Sequence, residues 1–170
     1  MSGDGRLTHV RADGSAHMVD VSAKAVTARQ ASAAGRVVLS DRAIRALREG
    51  DVPKGDALAV ARIAGIQAVK RTPDLIPLAH PIAVHGVELD LDVRDDGVDI
   101  VATVRTADRT GIEMEALTAV AVAALALIDM IKAVDKHARI TDVRVTAKSG
   151  GRSGDWTESG RSTWPGARPG

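Results

Sequence analysis

Between Gly111 and Asp135 the chain runs Ile112-Glu113-Met114-Glu115 and then, from Ala116 to Ile131, carries only Thr118 and Asp129 as polar interruptions. Alanine, leucine, isoleucine and methionine favour a helix, and here the apolar positions fall on every side of it instead of along one stripe. The run is too short and too interrupted to span a bilayer. It predicts the central helix of a soluble core, covered on all sides. A carboxylate buried in such a helix is costly unless it is paired or used. Asp129, with Lys132 one turn further on, is therefore the first candidate for chemistry.

Elsewhere the pattern is shorter in period. His17-Met18-Val19-Asp20-Val21 alternates like a short strand, and the Ala-rich stretch from Val26 to Leu39 is ambiguous, with Val37-Val38-Leu39 its clearest strand. Ser40-Asp41 can cap a short basic helix to about Glu49, closed by Gly50. A second helix, capped by Asp56, should run to about Arg71. Its small residues Ala57, Ala59, Ala61, Ala64, Gly65 and Ala68 invite close approach of another backbone. Thr72-Pro73 ends it, and Asp74 to Pro81 reads as a stiff apolar loop with prolines at 73, 77 and 81.

Val87, Leu89, Leu91 and Val93 alternate with acidic residues up to the turn signal Asp95-Asp96-Gly97, and Val98, Ile100, Ala102 and Val104 alternate after it. Val143, Val145 and Ala147 supply a last strand. The order predicts an α+β fold with helices packed on one face of an antiparallel sheet. We divide the chain into a flexible N-terminus (1–15), a single domain (16–156) and a disordered C-terminal tail (157–170).

Composition narrows the function classes. Phe and Tyr are absent and only Trp156 and Trp164 are aromatic, which disfavours base stacking on single-stranded nucleic acid. Lys24 to Arg48 carries six basic side chains against Asp41, and Glu88 to Asp99 six acidic ones against Arg94. That polarity suits an anionic small ligand or charge-matched subunits better than a DNA footprint. With no Cys, disulfides and a thiol nucleophile are excluded. No signal peptide or membrane span is visible, so the default compartment is the cytoplasm.

On the apolar helix, Glu115, Thr118, Val122, Leu125, Asp129 and Lys132 share roughly a third of the circumference. Asp129 and Lys132 are spaced for an ion pair. Glu115 and Asp129 lie roughly 21 Å apart along the axis, too far to serve one compact centre from one helix. A purely structural pair at Asp129–Lys132, and glutamates that merely favour the helix N-terminus, remain open on this pattern. Lys54 before Gly55 at a helix start can help hold phosphate. His80, fixed between Ala79 and Pro81, can serve as proton donor, anion ligand or core residue. His80 and His85 complete no recognisable metal site. Lys148-Ser149-Gly150-Gly151-Arg152-Ser153-Gly154-Asp155 leaves the last strand as a glycine-rich basic loop able to bind phosphate or to be a flexible tail.

Several of these strings resemble the cyclic pyranopterin monophosphate synthases of molybdenum cofactor biosynthesis. They are the segments His17–Ser22, Lys54–Asp56, Ala61–Ala68, Asp74–Pro81, Thr110–Thr118, Asp129–Val134 and Ala147–Asp155, in the family's order over about residues 7–156. The resemblance implies a ferredoxin-like antiparallel sheet with helices on one face and a small appended subdomain. It implies a homohexamer, a trimer of dimers, with active sites near subunit interfaces and neither metal nor organic cofactor. The implied reaction is that of a lyase. It converts (8S)-3′,8-cyclo-7,8-dihydroguanosine 5′-triphosphate to cyclic pyranopterin monophosphate and releases pyrophosphate.

Carried over by motif, Asp129 is the acid/base residue with Lys132 as its partner. Leu78, Ala79, His80, Met114 and Glu115 contact substrate, Lys54 and Lys148 are further site residues, and Glu113 supports them. Ala79 departs from relatives that carry Cys there, which removes a thiol but spares the backbone. The alternative reading is a non-catalytic nucleotide- or phosphate-binding oligomer.

Overall fold

In the computed structural model the chain is described over residues 10–152 and 154–158. The elements in chain order are β1 (Thr27–Val38), α1 (Asp41–Glu49), α2 (Ala57–Val69), α3 (Thr72–Leu75), β2 (Val84–Val93), β3 (Gly97–Asp108), α4 (Glu113–Ile131), β4 (Arg139–Ser149) and β5 (Trp156–Thr157). The five strands form one sheet in the order β2-β3-β1-β4-β5, and every neighbouring pair is antiparallel. Helix α4 lies across β1, β3 and β4, while α2 packs against α4 and β2. The fold is a mixed α+β one.

β1 is the central strand, and it is far longer than the three clear strand residues in its sequence. Ala31, Ala33, Gly35 and Val37 are buried toward α4, and Ser32, Ala34, Arg36 and Val38 are half-buried on the opposite face. Small residues on the buried face let the helix approach. A Cβ added at Gly35 would stand 2.6 Å from a Val120 methyl and 3.1 Å from one of Val143. The same device joins the two helices, because a Cβ at Gly65 of α2 would lie 2.8 Å from the Ala119 carbonyl oxygen and 3.1 Å from the Ala123 Cβ. Ile100, Ile112, Val120, Leu127 and Ile131 fill the layer between.

The local signals hold where they were strongest. The Ser40 hydroxyl accepts from the Ala43 N–H, Gly50 closes α1 at φ +71°, and the Asp56 carboxylate accepts from the Ala59 N–H. The Asp95-Asp96-Gly97 turn joins β2 to β3.

Four expectations are corrected. The alternating segment at 17–21 forms no strand; it runs as irregular chain beside the loop that carries His80. Thr72-Pro73 does not simply stop α2 but opens the one-turn helix α3, with Pro in its first turn, where a missing N–H costs nothing. Helix α4 has 19 residues at a mean hydropathy of 2.0 and is, by length and composition alone, long and apolar enough to cross a bilayer. It packs on the sheet instead. Nor is it covered on all sides within this chain, since Leu125 is 58% exposed and Ile63 on neighbouring α2 is 67% exposed. Of the ends assigned to a flexible N-terminus and a disordered tail, residues 1–9 and 159–170 lie outside the described residues.

Candidate functional site

Ten residues were singled out from the sequence, and the fold sorts them into two groups at opposite ends of α4. At the N-terminal end a cleft of about 440 Å³ is lined by Leu78, Ala79, His80, Glu113, Met114 and Glu115, among others. The proline-rich stretch between α3 and β2 brings Leu78 to His80 to this end. The His80 Nε2 lies 2.7 Å from the Val19 carbonyl oxygen. A carbonyl can only accept, so this nitrogen carries the proton and donates.

Glu113 and Glu115 sit in the first turn of α4, where the helix dipole favours negative charge. Gly111 leaves room for the Glu113 carboxylate, which a Cβ at that position would strike. Lys148, near the end of β4, reaches the Glu113 Oε1 at 3.1 Å. Glu115 is only 2% exposed. Burial pushes its carboxyl up to about 7, and the neighbouring Glu113 charge adds to the effect.

The C-terminal end is built differently. The Lys132 Nζ lies 2.6 Å from Asp129 Oδ1, one turn away on the helix. Lys54, from the loop before α2, donates to Asp129 Oδ2 at 2.8 Å and to the Asp129 carbonyl oxygen at 2.9 Å. Gly55, at φ +94°, makes the turn that leads from Lys54 into α2. The expectation that Asp129 is buried is wrong: its side chain is 57% exposed. The buried carboxyl of α4 is Glu115. Hydrogen bonds from Lys132 and Lys54, with the charges of both, hold the Asp129 carboxyl down at about 2.

Sequence spacing found the Asp129–Lys132 pair but not the third member, because Lys54 is distant in the chain and only the packing of α2 on α4 brings it there. It also gave no role to Val19, Val21, Lys24 and Thr110, which line the cleft. The first three lie in the His17–Lys24 segment, whose apolar-polar alternation reads as a strand and so hides a site wall. Among the described residues no group of three or more His, Cys, Asp and Glu is arranged to hold a metal ion.

One α+β frame carries a charged cleft of small-ligand size and, at the other end of α4, a lysine-held carboxylate. The chain belongs to the MoaC family, whose model matches residues 18–151, a span that holds all ten candidate residues. It is 68% identical over 154 residues to the cyclic pyranopterin monophosphate synthase of Streptomyces coelicolor, with 91% of each chain covered. A Nocardioides protein of the same name is 62% identical, over 89% of this chain and 95% of its own. The cyclic pyranopterin monophosphate synthase 2 of Mycobacterium tuberculosis is 57% identical, over 90% of this chain and 92% of its own.

Proposed function

We propose that this chain is a cyclic pyranopterin monophosphate synthase. It is then a lyase of molybdenum cofactor biosynthesis that converts (8S)-3′,8-cyclo-7,8-dihydroguanosine 5′-triphosphate to cyclic pyranopterin monophosphate and pyrophosphate. The observation that carries the reading is the convergence of Lys54 and Lys132, drawn from two separate motifs, on the Asp129 carboxylate. The substrate carries a triphosphate, and Lys54, Lys132 and Lys148 supply positive charge for it.

Asp129, with its carboxyl at about 2, is an ion throughout the neutral range and a poor proton donor there. We therefore assign it the role of orienting the lysines and assign the moving proton to Lys132. Glu115, near 7, is poised to take or give a proton at the other group. His80 and Lys148 hold the cleft walls and the ligand, with Leu78, Ala79 and Met114 as its apolar contacts and Glu113 supporting Lys148. A cytoplasmic location fits a substrate derived from a nucleotide.

The two groups are roughly 21 Å apart on one helix, so one chain does not bring them to one small molecule. We propose a homo-oligomer, assembled as a hexamer of three dimers, in which a second copy covers the exposed Val60, Ile63 and Leu125 and brings its own helix end to the site. Exposed large apolar side chains on two helices that pack together support this. A ferredoxin-like core is supported by the strand-helix-strand-strand-helix-strand order, with β4-β1-β3-β2 as the spatial order; α1 is then the appended part.

Incubation with the cyclised dihydroguanosine triphosphate, following pyranopterin and pyrophosphate together, tests the reaction. Both products are expected in equal amounts. Tight binding with neither product would leave a nucleotide-binding oligomer instead.

A further inference from the structure

Two backbone ladders run out together at the start of β1. Thr27 pairs with Asp108 as the last rung to β3, and Gln30 pairs with Ser149 as the last rung to β4. Past these rungs the chain continues on either side into a loop. One is 109–111, whose Thr110 and Gly111 line the cleft and which leads into Glu113. The other is the glycine-rich turn after Lys148.

Arg29 lies between the two. It donates from Nε to the Asp108 carbonyl at 3.0 Å and from Nη2 to the Arg109 carbonyl at 3.2 Å. On the other side Gly150 and Gly151 pass directly over the start of β1, at φ +84° and +78°. A Cβ at Gly150 would strike the Ala28 carbonyl, and one at Gly151 would strike the Arg29 guanidinium. Among the described residues Arg29 makes no ion pair, so its planar fork is spent on backbone.

The brace extends one step further. Arg109, whose carbonyl Arg29 holds, donates from its own Nε to the Lys24 carbonyl at 2.9 Å, and Lys24 lines the cleft.

We infer that Arg29 is a positioning residue that sets the gap between the 108–111 loop and the glycine-rich turn, and through them the meeting of Glu113 with Lys148. It touches no part of the cleft itself. It acts by hydrogen-bonding the loop beyond the last rung to β3 and by lying against the turn beyond the last rung to β4, so that one side chain spans both. The catalytic consequence rests on the function proposed above; the structural one does not.

The test uses the full chain with Arg29→Ala and Arg29→Lys. Amide hydrogen exchange, read without substrate, should speed up in both 108–111 and 149–152 in the Ala variant, while the centres of β1 and α4 stay protected. In the product assay the Ala variant should lose about tenfold or more in kcat/KM. Lysine keeps the charge but lacks the fork, so it should restore less than about half of that loss on a logarithmic scale. Unchanged exchange in either loop overturns the inference, as does full rescue by lysine or activity within about twofold of the parent. If Arg29→Ala does not fold, Arg29→Lys is read by the same exchange criterion in both loops. A parent that forms no product would instead sink the proposed reaction, and the exchange result would still decide the role of Arg29.

Discussion

The two ends of α4 carry the same kind of group in opposite states. At the N-terminal end Glu115 is out of water and its carboxyl is pushed up to about 7; at the C-terminal end Asp129 is in water and held down at about 2. Burial dominates the first and two lysines the second. Helix and residue class are shared, so neither explains the difference. What differs is covering: Glu115 is 2% exposed in the first turn of α4, whereas Asp129 is 57% exposed near its last, beside Lys54 and on a helix whose Leu125 is still bare. Environment sorts the carboxyls into a proton holder and a fixed anion, the division of labour that acid–base sites use.

The largest effect should come from breaking the exposed end. Asp129→Asn and Lys132→Ala each remove a partner of an exposed cluster, so fold and assembly should survive while kcat/KM falls by about a thousandfold. Turnover within tenfold of the parent, roughly, would remove Asp129 and Lys132 from the reaction. The comparison also predicts complementation. If the two ends meet across a subunit interface, co-assembling Glu115→Gln with Asp129→Asn leaves one intact site in each mixed pair. Activity should then return to about a quarter of the parent's, from two inactive proteins. No recovery on mixing would mean that each site is built within one chain.

The buried end should announce itself through stability. A carboxyl raised from 4.5 to about 7 on folding binds its proton more tightly in the native state. Its neutral form is therefore accommodated below pH 4.5, and the cost of ionising it grows as pH rises through 7. Relative to Glu115→Gln, the parent should lose about 3 kcal/mol between pH 4.5 and pH 8. Urea unfolding of both proteins across that range measures it. Asp129→Asn should show the reverse geometry of effect: with the folded carboxyl depressed, its contribution is complete above pH 4 and is lost only as pH falls toward 2. Parallel curves for parent and Glu115→Gln would mean that Glu115 is ionised at little cost.

How much of this could be read in advance follows from where each signal resides. The caps at Ser40, Gly50 and Asp56 and the turn at Asp95-Asp96-Gly97 are local, and they stand where the sequence puts them. β1 was obscured because alanine sits on both of its faces, Ala33 inside and Ala34 outside, so alternation in burial leaves almost no alternation in residue type. Three carboxyls on an apolar helix were visible, Glu113, Glu115 and Asp129, and the sequence pointed to Asp129 as the buried one where the fold buries Glu115. An all-apolar helix does not say which of its faces the rest of the chain leaves open. Lys54 had a motif and no address, since only the close packing of Gly65 on α4 sets the loop before α2 against Asp129.

The smallest expected change separates the two lysines at the exposed end. Lys54 and Lys132 both hold Asp129, but the hydrogen bond from Lys132 lowers its pKa the most, and Lys132 sits on the same helix, one turn away. Removing Lys54 therefore leaves the stronger restraint in place. Lys54→Ala should raise the Asp129 pKa toward, but not to, its ordinary value, and Lys132→Ala should raise it further. Because the side chains are solvated, either change should shift the melting temperature by no more than about 2 °C. Carboxyl carbon chemical shifts followed through acid titration read the order directly. A larger rise in Lys54→Ala would make the contact between helices, and not the pair within α4, the main restraint on Asp129. The proton-carrying role would then pass from Lys132 to Lys54.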